Sequence, residues 1–223
     1  MNHALPPGPQ TWATPFHIRR REARDVPEIR ALMQRVYPPP HGPESVWSEG
    51  ALALHLEIFP EGQFVARSED GRLVGSATSM LVPLEVALQP HTWKEITGRG
   101  TLGPHDPAGK ALYGVNIAVD PEFQGHGVGH GLYEARFHLA RELGCRAMVA
   151  GARIPGYHRC APSMTAEAYV QAVIGGVLWD PTLSKQLKVG FKVQGVLPDY
   201  APDPETLGYA ALIIRYLEGA HEV

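Results

Sequence analysis

The chain has 223 residues, 44% hydrophobic and 19% charged, with 20 Lys and Arg against 23 Asp and Glu for a formal charge of −3. That length suits one α/β core, and the slight acidity speaks against a nucleic-acid partner. No apolar run reaches membrane-spanning length, the Pro-rich start lacks a signal-peptide centre, and Cys145 and Cys160 read as free thiols, so the expectation is a cytoplasmic protein with no membrane partner.

Residues 1–14 are rich in Pro and polar residues and read as a disordered tail, ahead of a single domain over 15–223. A strand is expected over 17–21. Asp25 then caps a helix with a buried stripe of Ile29, Leu32, Met33 and Val36, which Pro38, Pro39 and Pro40 end. A second helix is expected over 45–58, followed by a hairpin of strands 63–67 and 73–82 around Asp70-Gly71. Between 83 and 110 the periodicity fails in favour of Gly, Pro, His and Trp. This connection is longer than compact domains carry without purpose, and reads as an active-site lid or a surface insertion.

The stretch 112–119 is apolar enough for a central strand. It runs into Asp120-Pro121-Glu122-Phe123-Gln124-Gly125-His126-Gly127-Val128-Gly129, and then into a helix whose stripe is Val128, Leu132, Ala135, Leu139 and Leu143, with Gly144 as its stop. The first turn of a helix has free N–H groups and a partial positive charge, so a glycine-softened helix start binds a diphosphate without basic side chains. A dinucleotide fingerprint fails at His130 and Leu132, and no Gly-Lys-Ser/Thr of a Walker loop occurs. Beyond the motif helix, a strand over 146–152, a helix over 165–174, a helix capped by Asp180-Pro181 that ends near Gly190, and strands over 191–197 and 209–216 complete the chain.

Gln124, Gly127 and Gly129 form Gln-x-x-Gly-x-Gly after a strand, which resembles the coenzyme A pyrophosphate loop of the GNAT N-acetyltransferase superfamily. The order of elements over residues 16–217 and the pair Gly190-Phe191 resemble it too. The segment Gly151 to His158 is similar to the GNAT domain that some bacterial proteins fuse to a nitrilase-type amidohydrolase, and 223 residues leave no room for that second domain.

The resemblance implies an α+β, three-layer fold: a mixed, mostly antiparallel sheet with helices on both faces and a splayed strand pair at the cofactor site. It implies acetyl-CoA as co-substrate and direct acyl transfer to a primary amine of a small molecule, peptide or protein. The cofactor residues would be Ile117, Ala118 and Val119 beside the pantetheine arm and Gln124, Gly125, His126, Gly127, Val128 and Gly129 around the diphosphate. A backbone N–H near 117–119 would face the thioester oxygen. Many members carry an acidic Tyr four residues before the Gly of Gly-Phe, but this chain has Gln186 there. Tyr157, His158 and Cys160 are the substitutes for the acid, with Asp120, His105 and Asp106 or a water relay for the base. The histidines do not fit a metal motif, because Gly127 stands where His126-x-x-x-His130 would need Glu, and no metal is expected. The other functional class is a coenzyme A-binding sensor without turnover. An exposed sheet edge could support a homodimer.

Overall fold

The computed structural model describes residues 16–42 and 45–217; the predicted tail lies outside them. Seven strands form one sheet in the order β1-β2-β3-β4-β5-β7-β6. They are β1 (Phe16–Arg20), β2 (Gln63–Ser68), β3 (Leu73–Val82), β4 (Ala111–Val119), β5 (Ala147–Arg153), β6 (Lys192–Leu197) and β7 (Ala210–Tyr216). Only β4 and β5 are parallel neighbours; every other pair is antiparallel. Among the described residues, no helix is long and apolar enough to cross a membrane.

Alternation along the strands feeds two cores. One face packs Phe64, Ala66, Leu112, Met148 and Ile213 under α5 (Val128–Glu142), α6 (Ala166–Ile174) and α7 (Leu183–Lys188). The other packs Val65, Leu73, Tyr113, Val149 and Leu212 under α1 (Val26–Val36), α2 (Glu49–Ile58), α3 (Leu84–Ala87) and α4 (Trp93–Thr97). The expected three-layer α+β architecture is therefore present.

Three differences from the sequence reading have local causes. The second helix begins at Glu49 rather than at 45, because the Ser48 hydroxyl accepts from the Ala51 N–H as its N-cap. The segment 83–110 is not irregular throughout. It contains α3 and α4, and α4 starts with a reciprocal capping box between Thr92 and Glu95. Nor is it a loose lid: Ile96 and Leu102 are buried, Trp93 stacks on Trp47 at 6.2 Å, and its indole N–H donates to the Val115 carbonyl at 3.2 Å. The motif helix also buries Tyr133, Arg136 and Phe137, whereas Leu143 of the expected stripe is 38% exposed.

Two buried carboxylates brace the layers. Asp25 takes both ends of the Arg19 guanidinium at 2.7 Å, Arg67 at 2.8 Å and the Glu22 N–H at 2.7 Å. Asp120, at the end of β4, receives Arg35 from α1 at 3.0 Å and Arg72 from the β2–β3 hairpin at 2.9 Å. Burial alone would raise the Asp25 carboxyl, but hydrogen bonds from Arg19 and Arg67 outweigh it and hold the group well below the usual carboxylate range. A depressed carboxyl stabilises the fold above its unfolded value of about 3.9 and loses that contribution as the pH falls toward the folded value. Asp25→Ala is expected to cost about 3–5 kcal/mol in urea unfolding at neutral pH, by leaving two guanidinium groups against each other. The variant should also lose less stability on acidification than the parent.

Candidate active site

The site begins where β4 and β5 part. They pair only from Ala111↔Ala147 to Tyr113↔Val149. A bulge follows at once: Ser79 opposes Gly114 but Thr78 opposes Asn116, so Val115 is the extra residue and the strand twists locally. From Gly114 to Val119 and from Ala150 to Arg153 the two strands diverge into a cleft.

At the mouth of the cleft lies the glycine turn. Gly125 and Gly127 have φ of +82° and +87°, the left-handed region that favours glycine. A Cβ at Gly125 would meet nothing within 4 Å, so the backbone is open to an approaching group. Gly127 is the N-cap of α5; no side chain caps this end and its first turn holds no acid. The helix thus presents N–H groups and its positive pole at the mouth of the cleft, and Val128 is buried as the anchor behind them. Gln124 donates weakly to the Val119 carbonyl at 3.4 Å, and the His126 ring turns back to the Gln124 carbonyl at 3.1 Å. Ile117, Ala118 and Val119 lie on the diverging half of β4 below this turn.

On the α5 face of the cleft, Tyr133, Arg136 and Gln186 are 8%, 1% and 5% exposed. The Gln186 amide donates to the Tyr133 hydroxyl at 2.8 Å, and the Arg136 guanidinium lies 4.6 Å over the Tyr133 ring. Arg136 Nη1 is 3.2 Å from where a Gly114 Cβ would sit, beside Met148 and Ala150. Gly114 and Ala150 are the first residues past the last paired rung.

The opposite face holds a directed chain of polar groups. The Tyr200 head lies against Gly151, where a Cβ would collide with it. Its hydroxyl is 3.0 Å from that of Tyr113, which is 2.8 Å from His91 Nε2. His91 Nδ1 is 2.7 Å from the Gln89 carbonyl, which only accepts, so Nδ1 carries the proton and Nε2 accepts from Tyr113. Burial pushes Tyr200 up to about 12 and lowers His91 below the ordinary histidine value, so the chain runs between neutral groups. Nearer the mouth, Asn116 donates to the Tyr37 hydroxyl at 3.0 Å, and Arg153 binds Asp203 at 2.6 Å and Glu205 at 2.9 Å.

The catalytic candidates separate. Tyr157 and His158 follow the C-terminal end of β5, the end at which the cleft opens. The Tyr157 ring is buried between Tyr169 and Tyr209 and its hydroxyl donates to the Met164 carbonyl at 3.4 Å; His158 is exposed, with Nδ1 on the Pro155 carbonyl at 2.8 Å. His105 accepts from the Leu81 N–H at 3.1 Å and stacks on Phe59 at 4.6 Å, and Leu81 opposes Leu112 on β4. Asp120 is spent on two arginines. Sequence reasoning missed Tyr133, Arg136, His91, Tyr113 and Tyr200; only the position of Gln186 pointed toward this cluster.

A model of the acetyltransferase (GNAT) family matches residues 26–160. The Bacillus subtilis proteins YhcX, a probable hydrolase, and YkwB, an uncharacterized N-acetyltransferase, are 40% and 35% identical over 197 and 196 residues. Each match covers 88% of this chain; the chain spans 37% of the length of YhcX and 86% of YkwB. Among solved structures, the GphF GNAT-like decarboxylase in complex with isobutyryl-CoA is 28% identical with a TM-score of 0.78, covering 91% of this chain and all of that one. A phosphinothricin acetyltransferase of Sinorhizobium meliloti, solved with AcCoA, shares the fold at 18% identity and a TM-score of 0.58, over 93% of this chain and 96% of its own. The chain belongs to the acetyltransferase (GNAT) family.

Proposed function

We propose that the protein transfers an acetyl group from acetyl-CoA to a primary amine by direct attack within a ternary complex. The observation that carries this reading is the open, uncapped glycine turn at the mouth of the β4–β5 cleft. Val128, Gly129 and the glycines before them hold the diphosphate through N–H groups, with Gln124 and His126 at its rim. The pantetheine arm runs beside Ile117, Ala118 and Val119, and an N–H of this stretch faces the thioester oxygen as charge develops. A thioester is already activated, so holding donor and amine in register supplies most of the acceleration, on the order of 7 kcal/mol or more in favourable systems.

The amine enters from the face of Tyr37, Asn116 and Arg153, with Tyr157 and His158 at its edge, and small-molecule and peptide amines both fit this description. Its proton leaves through Tyr200 and Tyr113 to His91, the base that the sequence did not reveal. A second reading draws on GphF, a decarboxylase solved with isobutyryl-CoA: the same turn and cleft would serve loss of CO2 from a carboxyacyl-CoA.

Free-thiol release from acetyl-CoA over a panel of small-molecule and peptide amines tests the first reading, and CO2 release from malonyl-CoA the second. Tight binding without either product would favour a sensor module. Gly127→Ala forces a side chain into left-handed backbone at a cost of about 1–2 kcal/mol. It is expected to weaken calorimetric coenzyme A affinity by about tenfold, and the same strain should lower the melting temperature by roughly 2–8 °C. His91→Gln is expected to lower kcat/KM by about a hundredfold. In the parent, kcat/KM falls as pH drops through the lowered His91 value, and in the variant that acid limb disappears.

A further inference from the structure

We propose that Arg136 forms a carboxylate-binding subsite at the closed end of the β4–β5 cleft, and that the acyl donor it favours is a coenzyme A thioester of a four-carbon dicarboxylic acid, whose acyl group is transferred whole. The proposal rests on the reading above, in which the thioester lies in that cleft, and extends it from acetyl to carboxyacyl donors.

Arg136 is 1% exposed, yet its Nε and Nη2 have no hydrogen-bond partner. No carboxylate among the described residues pairs with it. Its guanidinium lies over the Tyr133 ring, which the Gln186 amide fixes through the phenol oxygen. An aromatic face orients a guanidinium without neutralising it. Around the Gly114 Cα, Arg136 Nη1 shares the space only with Met148 and Ala150, which carry no charge. Burying a guanidinium without an anion is costly, and burial pulls its pKa below the ordinary value. An anion brought by a ligand therefore meets donors already in place, with no internal partner to displace.

The position fits the far end of an acyl chain. Gly114 and Ala150 are the first residues past the last paired rung, and neither has a side chain beyond Cβ to fill the gap. The arm enters from the glycine turn and the thioester oxygen faces the N–H groups of residues 117–119, so the acyl chain beyond it runs from Ile117 toward Gly114. Three residue steps limit that distance to about 10 Å, at about 3.3 Å per residue. A hydrogen bond of about 2.9 Å at each end leaves roughly 4 Å between the thioester carbon and a terminal carboxylate, which three bonds in an extended chain cover. A succinyl group has that reach. Malonyl is one carbon short, and acetyl has no anion to offer.

Chain length also decides the fate of the group. Loss of CO2 requires a carboxylate on the carbon next to the thioester carbonyl, because the electron pair of the breaking C–C bond passes into that carbonyl. In a succinyl chain the carboxylate is one carbon too far away, and Arg136 stabilises it as it stands. The amine nitrogen attacks the thioester carbon, and the C–S bond breaks with its electron pair on sulfur. Of the two protons that the ammonium loses on becoming an amide, one is matched by the proton of the coenzyme A thiol and the other is released. The product keeps its free carboxylate, so the modified amine exchanges a positive charge for a negative one.

The test is calorimetry at neutral pH with succinyl-CoA, with butyryl-CoA, which has the same number of carbons and no carboxylate, and with coenzyme A, which reports on the glycine turn and arm alone. The parent should favour succinyl-CoA over butyryl-CoA by about tenfold to a hundredfold, the worth of hydrogen bonds between charged groups. Arg136→Met should abolish or invert that preference while coenzyme A affinity is kept, and Arg136→Lys should restore part of it. Arg136→Met should also melt no lower than the parent, because it removes an unpaired buried charge. Gly114→Ala places a Cβ 3.2 Å from Arg136 Nη1 and should reduce the preference with the cation still present. With an amine that turns over acetyl-CoA, succinyl-CoA should give a product that carries the whole four-carbon group by mass. Equal affinities for succinyl-CoA and butyryl-CoA in the parent, or a preference unchanged in Arg136→Met, or no succinyl product where acetyl-CoA reacts, would overturn the proposal while leaving the cofactor reading in place. Failure of the parent to bind coenzyme A would overturn both.

Discussion

The parting of β4 from β5 is the constraint on which the rest of the molecule is arranged. A sheet satisfies its backbone groups by pairing, and two central strands that separate after three rungs leave a row of N–H and C=O groups facing each other across a gap. That arrangement is tolerable because each strand is secured on its outer side: β4 continues on β3 up to Gly75↔Val119, and β5 pairs with β7 along its whole length. The bulge at Val115 gives the twist that opens the gap, and Trp93 takes the carbonyl of the bulged residue. The carbonyl that the bulge leaves out of the β3–β4 ladder is thus met by a hydrogen bond from the segment that the sequence left without structure.

The ends of the cleft are held by charge. Asp120 ends β4 just before the glycine turn, and its ties to Arg35 and Arg72 fix the root of that turn to α1 and to the β2–β3 hairpin. The turn itself therefore needs no side-chain cap, and its main-chain donors remain exposed on a rigid base. On the far side, Asp180 caps α7 through the Thr182 and Leu183 N–H groups and accepts from Gly156 and from the Tyr169 hydroxyl. One buried carboxylate thereby orients both α7, which carries Gln186, and the turn that carries Tyr157.

Much of this was legible in the sequence because it depends on local rules. Strand, glycine turn and amphipathic helix follow one another within some thirty residues, and their periods and stop signals are visible without tertiary knowledge. The cleft was not legible except through family likeness, since a bulge is a mismatch between two strands and only the pairing of Thr78 with Asn116 reveals it. Arg136 illustrates the same limit. On a helix with Arg141 and Glu142 at its exposed end, a further arginine reads as solvated surface, and only its seat behind Gly114 makes it a buried cation. The Thr92-x-x-Glu95 capping box, by contrast, was open to reading and marks α4 within a stretch taken as irregular.

The two faces of the cleft divide the work by charge state. The α5 face offers the helix pole and a buried guanidinium with unpartnered donors, both suited to negative charge. The opposite face offers Tyr200, Tyr113 and a neutral His91, with Arg153 already neutralised by Asp203 and Glu205, a surface without net charge of its own. The difference between the faces follows from which elements pack on each side of the sheet, α5 and α7 on one and the 83–110 segment with Tyr200 on the other, so tertiary packing comes before side-chain chemistry in this site.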